Sequence, residues 1–159
     1  MAPQPLGSDS TKVILTRPFQ LGALADWNIV DWYATKALNA YLTAGSAGPV
    51  AADRAAVLVE WTGASGLWQR RAGLVAFVRT AGRPDRHFPG YTDLILTACA
   101  ANLVDTDRFA HTGPGWVLRE LSRARPELVA GFVDAHPELS AEGRRMATAL
   151  LRAGPYRRR

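Results

Sequence analysis

One segment of the sequence reads Asp26-Trp27-Asn28-Ile29-Val30-Asp31-Trp32-Tyr33-Ala34-Thr35-Lys36-Ala37-Leu38. At 3.6 residues per turn its apolar side chains fall on one face, which predicts an amphipathic helix packed against a core. We expect this helix to begin at about residue 19 or 24 and to end at about residue 43. Its core face is predicted to contain Val30, Ala34, Ala37, Leu38 and Tyr41.

Trp27 and Asp31 lie one helical turn apart, and both project onto one edge of that apolar face. A carboxylate beside apolar surface is poorly solvated, so it needs a partner or a function. A tryptophan one turn away adds a flat surface that suits a planar ligand. Two interpretations are open. The pair is functional, or it is structural, with Asp31 bonded to a helix end or an arginine and Trp27 in the core.

Apolar residues recur at helical spacing along the rest of the chain, and no segment alternates as a strand does. Further helices are predicted at about 50–62, 67–81, 91–102, 105–123, 126–135 and 140–153. Gly113-Pro114-Gly115 predicts a kink or a restart in the helix that contains it. The predicted fold is all-α. Six or seven helices in loose pairs of about 40 residues indicate a HEAT- or armadillo-like solenoid, although no clean internal repeat is visible.

The predicted domain organisation is one helical-repeat domain over residues 19–153. Residues 1–18 are predicted to form a disordered leader and a short segment that leads into the first helix. Residues 154–159 are predicted to be a basic disordered tail. The 159 residues fit one domain, and Cys99, the only cysteine, is predicted to be a small core residue. No apolar run approaches the length of a membrane span.

The net charge of +5 at pH 7 favours a polyanionic partner such as nucleic acid. Of the 19 basic residues, all except Lys12 and Lys36 are arginine, which suits bidentate contacts to phosphate. Compositional bias in the coding sequence explains the arginine content equally well, so both interpretations stay open.

Several reaction classes lack their sequence signatures. The chain has no glycine-rich phosphate loop, no HExxH, no nucleophile-elbow serine and no clustered metal ligands. His87, His111 and His136 are far apart and are typical of helix caps or surface positions. We therefore predict no metal site and no organic cofactor. The remaining candidates are aromatic and basic: Trp27 with Asp31, Arg70 and Arg71 after Trp68, and Trp116 with Arg119.

Three of these segments, in order, resemble the AlkD-like DNA alkylation repair glycosylases. Residues 27–31 resemble the family's W-x-x-x-D helix, and residues 67–74 (Leu-Trp-Gln-Arg-Arg-Ala-Gly-Leu) resemble its W-x-R-R-x-A helix. Residues 109–120 resemble its K-A-x-G-W-x-L-R-E segment, with Thr112 where the family often has lysine. The resemblance covers roughly residues 19 to 153.

The resemblance implies roles for individual residues. Asp31 matches the catalytic carboxylate, and Trp27 and Trp116 match the aromatic pair that flanks the cationic lesion. Arg71 matches an arginine that holds DNA phosphate beside the lesion, and Arg70 and Arg119 are further candidates for DNA binding. Family members resemble HEAT-repeat solenoids and remove cationic alkylpurines such as 3-methyladenine and 7-methylguanine. No cofactor is implied.

The implied partner is double-stranded DNA that contains alkylated bases, and we expect a cytoplasmic, nucleoid-associated protein. Family members generally have more helical repeat before the W-x-x-x-D helix than the roughly two dozen residues found here. We therefore expect a shortened solenoid whose exposed N-terminal face could form a homodimer. Two alternatives stay open: a non-catalytic DNA-binding HEAT-like module, and a helical protein-interaction scaffold.

Overall fold

The computed structural model describes residues 8–44 and 48–152, and every regular element within these ranges is a helix. The all-α prediction is confirmed, and the architecture is consistent with a helical repeat, whereas the HEAT-type pairing stays a prediction. The α-helices are α1 Ser8–Gln20, α2 Trp27–Tyr33, α3 Asn39–Thr43, α4 Pro49–Glu60, α5 Leu67–Val75, α6 Val78–Ala81, α7 Tyr91–Asn102, α8 Arg108–Leu121, α9 Pro126–Ala135, α10 Ala141–Ala147 and α11 Ala149–Arg152. Ala34–Leu38 is a π-helical segment, and Trp61–Gly63 and Pro84–Arg86 are 3₁₀ turns.

Each predicted helix has a counterpart, and its bounds shift by a few residues. The predicted helix over 67–81 is divided into α5 and α6, and the one over 140–153 into α10 and α11. Cys99 is fully buried, as predicted, and burial raises the pKa of its thiol. Among the residues described, none of the helices combines the length and apolar character needed to cross a membrane.

Helix α1 corrects the prediction of a leader and a lead-in segment over residues 1–18. Residues 1–7, like the predicted tail 154–159, lie outside the described residues, but residues 8–18 belong to a helix. Phe19 anchors it, with ring centroids 6.0 Å from Tyr33 and 5.7 Å from Trp61. The Tyr33 hydroxyl also donates to the Leu15 carbonyl at 3.0 Å. The prediction was wrong because the residues that hold α1 in place, Tyr33 and Trp61, come much later in the chain, and the polar N-terminal sequence does not indicate these contacts.

A glycine cap ends α1 and separates it from α2. Gly22 has φ +68°, the left-handed region that glycine adopts without strain. The Gly22 N–H donates to the Phe19 carbonyl, and the Ala23 N–H donates to the Pro18 carbonyl. This is the Schellman pattern, which terminates a helix by satisfying its last carbonyls. The predicted start at residue 19 or 24 was therefore wrong, and the following helix begins at Trp27.

The π-helical segment moves the buried face of the helix that contains Asp31. Ala37 and Tyr41 are only partly buried, although a 3.6-residue period placed them in the core. A spacing of four would drift by about 40° per step in an α-helix, and by about 120° over three steps. The wider π turn rotates less per residue and removes this drift. The residues that face the core are therefore spaced by four: Val30, Ala34, Leu38 and Leu42.

The π segment ends opposite the break between α5 and α6. There the Thr80 N–H donates to the Phe77 carbonyl instead of the Ala76 carbonyl. The Asn39 side-chain amide donates to the Ala76 carbonyl at 3.0 Å and satisfies it. The two irregular segments are thus joined by one hydrogen bond, which fixes the helix of Asp31 relative to α5.

Helix α8 is the centre of the fold and packs against α5, α6, α7, α9 and α10. It runs without interruption through Gly113-Pro114-Gly115, so the restart alternative was wrong, whereas the kink alternative stays a prediction. Gly115 serves packing: a Cβ at this position would lie 2.7 Å from the Gly143 carbonyl oxygen of α10. The backbones of α8 and α10 are therefore in direct contact at Gly115. In a sequence, a glycine required for such close packing cannot be distinguished from a glycine that ends a helix.

Candidate functional site

A cleft of about 460 Å³ lies between α2, α5, α8 and α10. It contains five of the six residues predicted for the site: Trp27, Asp31, Arg71, Trp116 and Arg119. Arg108, Phe109, Thr112, Glu142 and Met146 complete its lining. Trp27 is 52% exposed, so the cleft is open to solvent on the side of α2.

The start of α2 determines where Trp27 and Asp31 lie. Asp26 caps the helix, and its carboxylate accepts from the backbone N–H groups of Asn28 at 2.9 Å and Ile29 at 3.1 Å. Trp27 is therefore the first residue of α2, and Asp31 follows one turn later on the same side. The exposure of Trp27 contradicts the alternative in which this side chain is in the core.

Asp31 is held by a forked ion pair from Arg71. The Arg71 Nε donates to Asp31 Oδ1 at 2.7 Å, and Nη2 donates to Oδ2 at 2.8 Å. The side chain of Arg71 is 5% exposed and that of Asp31 is 14% exposed. Both carboxylate oxygens thus have a charged donor, and the carboxylate still borders the cleft. One of the two interpretations of the sequence predicted that Asp31 bonds to an arginine, and this bond is present.

The other end of the Arg71 guanidinium reaches α8. Nη1 donates to the Phe109 carbonyl at 2.9 Å and to the Thr112 hydroxyl at 3.0 Å. Four of the five N–H donors of Arg71 are therefore used within the protein. The phosphate contact predicted for Arg71 has no pair of donors left to make it. Arg71 thus joins α2, α5 and α8 through Asp31 and Phe109, and its phosphate contact stays a prediction.

Arg70 is not part of the cleft. It donates to the carbonyls of Ala64 at 2.9 Å and Ser65 at 2.7 Å and forms an ion pair with Asp105. These bonds hold its side chain on the loops before α5 and α8, and its DNA contact stays a prediction.

Arg119 lies in the cleft lining, where it forms an ion pair with Glu120 at 2.8 Å. Its side chain is 38% exposed, so its DNA contact stays a prediction.

Phe109 is a central residue of the cleft that the sequence analysis missed. Its ring centroid lies 5.6 Å from the Arg71 guanidinium and 5.3 Å from the Arg108 guanidinium. Trp68, which precedes the arginine pair on α5, packs against the same ring at 5.2 Å. Both cations are thus held against one aromatic ring.

A second carboxylate borders the cleft on α10. Glu142 accepts two hydrogen bonds of 2.7 Å from Arg108, one to each oxygen. These bonds hold the pKa of Glu142 below its ordinary range, although desolvation acts in the opposite direction. Glu142 also raises the pKa of Arg108 through the same bonds. The cleft therefore contains two carboxylates, each held in the fork of an arginine.

His111 also departs from the sequence analysis, which placed it at a cap or on the surface. It is buried inside α8, where its Nε2 contacts the Asp105 carbonyl at 2.7 Å and its Nδ1 accepts from the Ser140 N–H at 3.2 Å. It supports the start of α10, next to Glu142. Within the described part of the chain, no group of three or more potential metal ligands is present.

A second groove, of about 470 Å³, lies between the segment 84–93 and Arg125 with Leu128. Its ion pair joins Arg125 to Asp85, whose side chain is 76% exposed. His87 stacks on Tyr91 in this groove with centroids 4.3 Å apart, and burial lowers the pKa of His87. An exposed carboxylate is fully solvated and has little electrostatic effect, so the cleft around Asp31 is the better candidate site.

Comparison with known protein families decides the identity of the chain. The sequence model described as "DNA alkylation repair enzyme" matches residues 17–151, which is more than half of the 159 residues. The chain belongs to the DNA alkylation repair enzyme family. No curated protein and no solved structure matches it at a significant level.

Membership of the DNA alkylation repair enzyme family confirms the resemblance found in the sequence. The match begins in α1 and ends in α11, so it includes every residue that lines the cleft. The family indicates a role in DNA repair, with DNA as the partner.

Proposed function

We propose that this protein is a monofunctional DNA glycosylase that hydrolyses the N-glycosidic bond of cationic alkylpurines such as 3-methyladenine and 7-methylguanine. The observation that carries the proposal is the Asp31 carboxylate, 14% exposed, at the edge of a cleft that also contains Trp27 and Trp116. An alkylated purine is already a cation and a good leaving group, so the reaction needs little acid catalysis.

Asp31 acts on the charge that develops on the sugar. As the bond between C1′ and the base nitrogen breaks, its electron pair goes to the base and the sugar becomes cationic. A poorly solvated carboxylate stabilises this cation strongly or orients the water that attacks C1′. The water oxygen forms the new bond to C1′, and its proton leaves to Asp31 or solvent.

Trp27 and Trp116 supply aromatic surface beside that carboxylate. Tryptophan faces attract cations, which favours both the charged base and the cationic sugar. The cleft is open along Trp27, so the lesion is bound against the aromatic surface rather than in the deep pocket of base-flipping enzymes.

Arg71 keeps Asp31 in one orientation. A fork to both oxygens fixes the plane of the carboxylate. Because Arg71 is buried, DNA phosphate is held by cations at the edge of the cleft, among them Arg119.

The test is release of 7-methylguanine and 3-methyladenine from alkylated duplex DNA by the wild type and by Asp31→Asn. We expect release by the wild type and a loss of about 100-fold or more in the variant, the range seen when one electrostatic catalytic group is removed. Asp93→Asn, an exposed carboxylate of α7 outside the cleft, is the matched control and should keep full activity. Circular dichroism establishes that each variant is folded.

A non-catalytic DNA-binding module is the second candidate. The observation that favours it is that both Asp31 oxygens accept hydrogen bonds from Arg71, so the guanidinium already balances the charge of the carboxylate. A folded wild type that binds duplex DNA in a salt-dependent way and releases no base would support this module and end the glycosylase proposal.

A further inference from the structure

The burial of Arg71 leaves a question of which side chain in the cleft meets DNA phosphate. Arg108 has the required exposure, because 63% of its side chain is accessible to solvent. It is the first residue of α8 and lies at the edge of the cleft, opposite Glu142 of α10. Arg108 is therefore an exposed guanidinium that donates two hydrogen bonds to a carboxylate, that of Glu142.

We propose that Arg108 is a phosphate-binding residue of the cleft and that Glu142 is a resident competitor which duplex DNA displaces. The inference rests on the proposed function only in that DNA binds at this cleft, and it does not require base release.

The geometry of the pair supports competition. Arg108 donates from Nε and Nη2 to the two oxygens of Glu142, both at 2.7 Å. The same two donors match two oxygens of a phosphate group, so carboxylate and phosphate occupy one position on the guanidinium. Glu142 and DNA phosphate therefore cannot both be bound by this fork.

The energetics allow the exchange. The ion pair is exposed, so water screens it and it contributes little to stability. Phosphate in duplex DNA brings the additional gain of counterion release. The Phe109 ring, 5.3 Å from the Arg108 guanidinium, holds the cation at the edge of the cleft in either state.

Glu142 stays charged while it competes. Hydrogen bonds from Arg108 hold the pKa of Glu142 below its ordinary range, and Arg145 on the same helix acts in the same direction. At neutral pH Glu142 is thus an anion at the edge of a DNA-binding cleft, and it lowers the affinity for every duplex. Glu142 therefore shortens the time that the protein stays bound to undamaged DNA, where no cationic base contacts Trp27 and Trp116.

The experiment measures the affinity for an undamaged duplex oligonucleotide by fluorescence anisotropy, at several salt concentrations between about 50 and 200 mM. Glu142→Gln should bind about two- to fivefold more tightly, the factor that corresponds to loss of an exposed ion pair. Arg108→Gln should bind more weakly and lose about 1 from the slope of log affinity against log salt. Arg108→Lys should keep that slope, because it keeps the charge.

The double variant separates competition from general charge. If Glu142 acts through Arg108, Glu142→Gln has no effect in the Arg108→Gln background. Arg125→Gln removes an arginine from the ion pair with Asp85 outside the cleft and should leave the salt slope unchanged.

Three results would overturn the proposal. They are an equal gain from Glu142→Gln with and without Arg108, an unchanged salt slope in Arg108→Gln, and no duplex binding by the folded wild type at low salt. Because the duplex carries no lesion, failure of the glycosylase proposal shows itself separately, as absence of base release. A protein that releases base can still fail this binding test.

Discussion

Replacing Arg71 by lysine tests whether the buried guanidinium is what joins α2, α5 and α8. Lysine keeps the positive charge, so the substitution isolates the planar fork from the charge. An ammonium group can donate to one oxygen of Asp31, but it cannot span the distance from α2 to the two acceptors on α8. We expect Arg71→Lys to fold and to be clearly less stable than the wild type.

The magnitude follows from the four hydrogen bonds of Arg71. Two of them, to the Phe109 carbonyl and the Thr112 hydroxyl, are lost outright, and a hydrogen bond to a charged group contributes about 1.5–3 kcal/mol. Thr112 recovers part of its loss by donating to a carbonyl of its own helix. The expected fall in the free energy of unfolding is therefore about 2–4 kcal/mol. For a chain of this length that corresponds to roughly 4–16 °C in melting temperature.

Urea denaturation followed by circular dichroism measures this change, and the base-release assay follows the orientation of Asp31 in the same variant. Release should fall by about 10- to 100-fold, because a displaced catalytic group loses its alignment. Arg119→Lys is the control: its side chain is partly exposed and pairs with the adjacent Glu120. We expect its free energy of unfolding to stay within about 0.5 kcal/mol of the wild type.

A fall of less than about 0.5 kcal/mol in Arg71→Lys would refute the reasoning. So would a double-mutant cycle with Asp31→Asn that gives no coupling energy, since residues in one hydrogen-bonded ion pair couple by about 0.5–3 kcal/mol. Either result would mean that packing of the helices, and not this side chain, determines the position of Asp31.

Three further predictions concern other parts of the molecule. Trp27→Ala should lower base release about tenfold through loss of a cation–π contact and change the melting temperature little, because Trp27 is half exposed; unchanged release would remove Trp27 from the site. Gly115→Ala should cost about 1–3 kcal/mol in urea unfolding, because its Cβ would meet α10 at 2.7 Å. Gly131→Ala, whose Cβ would meet open space in α9, should be neutral or stabilising, and equal effects would contradict the packing argument. We also propose a homodimer through exposed apolar residues of α1 and α2, among them Val13, Ile14 and Trp32. Sedimentation velocity should show a dimer whose fraction rises with protein concentration and falls in Trp32→Arg. A monomer at every concentration would contradict this proposal.

Much of the fold and several site residues could be predicted from helical spacing. The one-turn spacing of Trp27 and Asp31 places both in one cleft, and Trp116 lines the same cleft from α8. The burial of Arg71 could not be predicted, because an arginine in a helix has the same sequence signal whether its donors meet phosphate or protein. Only the position of α2 relative to α8 decides between these partners.

Phe109 and Thr112 carried a signal that the predicted break concealed. They precede Trp116 by seven and four residues, which places all three on one face of an uninterrupted helix. The predicted kink or restart at Gly113 hid that periodicity. The error came from treating glycine as a helix breaker when a neighbouring backbone requires it.

The π-helical segment Ala34–Leu38 also sets the angular phase between the two halves of its helix. Trp27 and Asp31 lie before it, and the core residues Leu38 and Leu42 lie at its end and beyond it. In a regular α-helix Leu38 would lie about 40° away from Ala34 around the helix axis, because four residues turn by about 400°. With Leu38 and Leu42 kept in the core, the half that contains Trp27 and Asp31 would be rotated by that angle, and the Asp31 carboxylate would turn away from Arg71. The backbone geometry of residues 34–38 is therefore part of the site, although none of these residues lines the cleft.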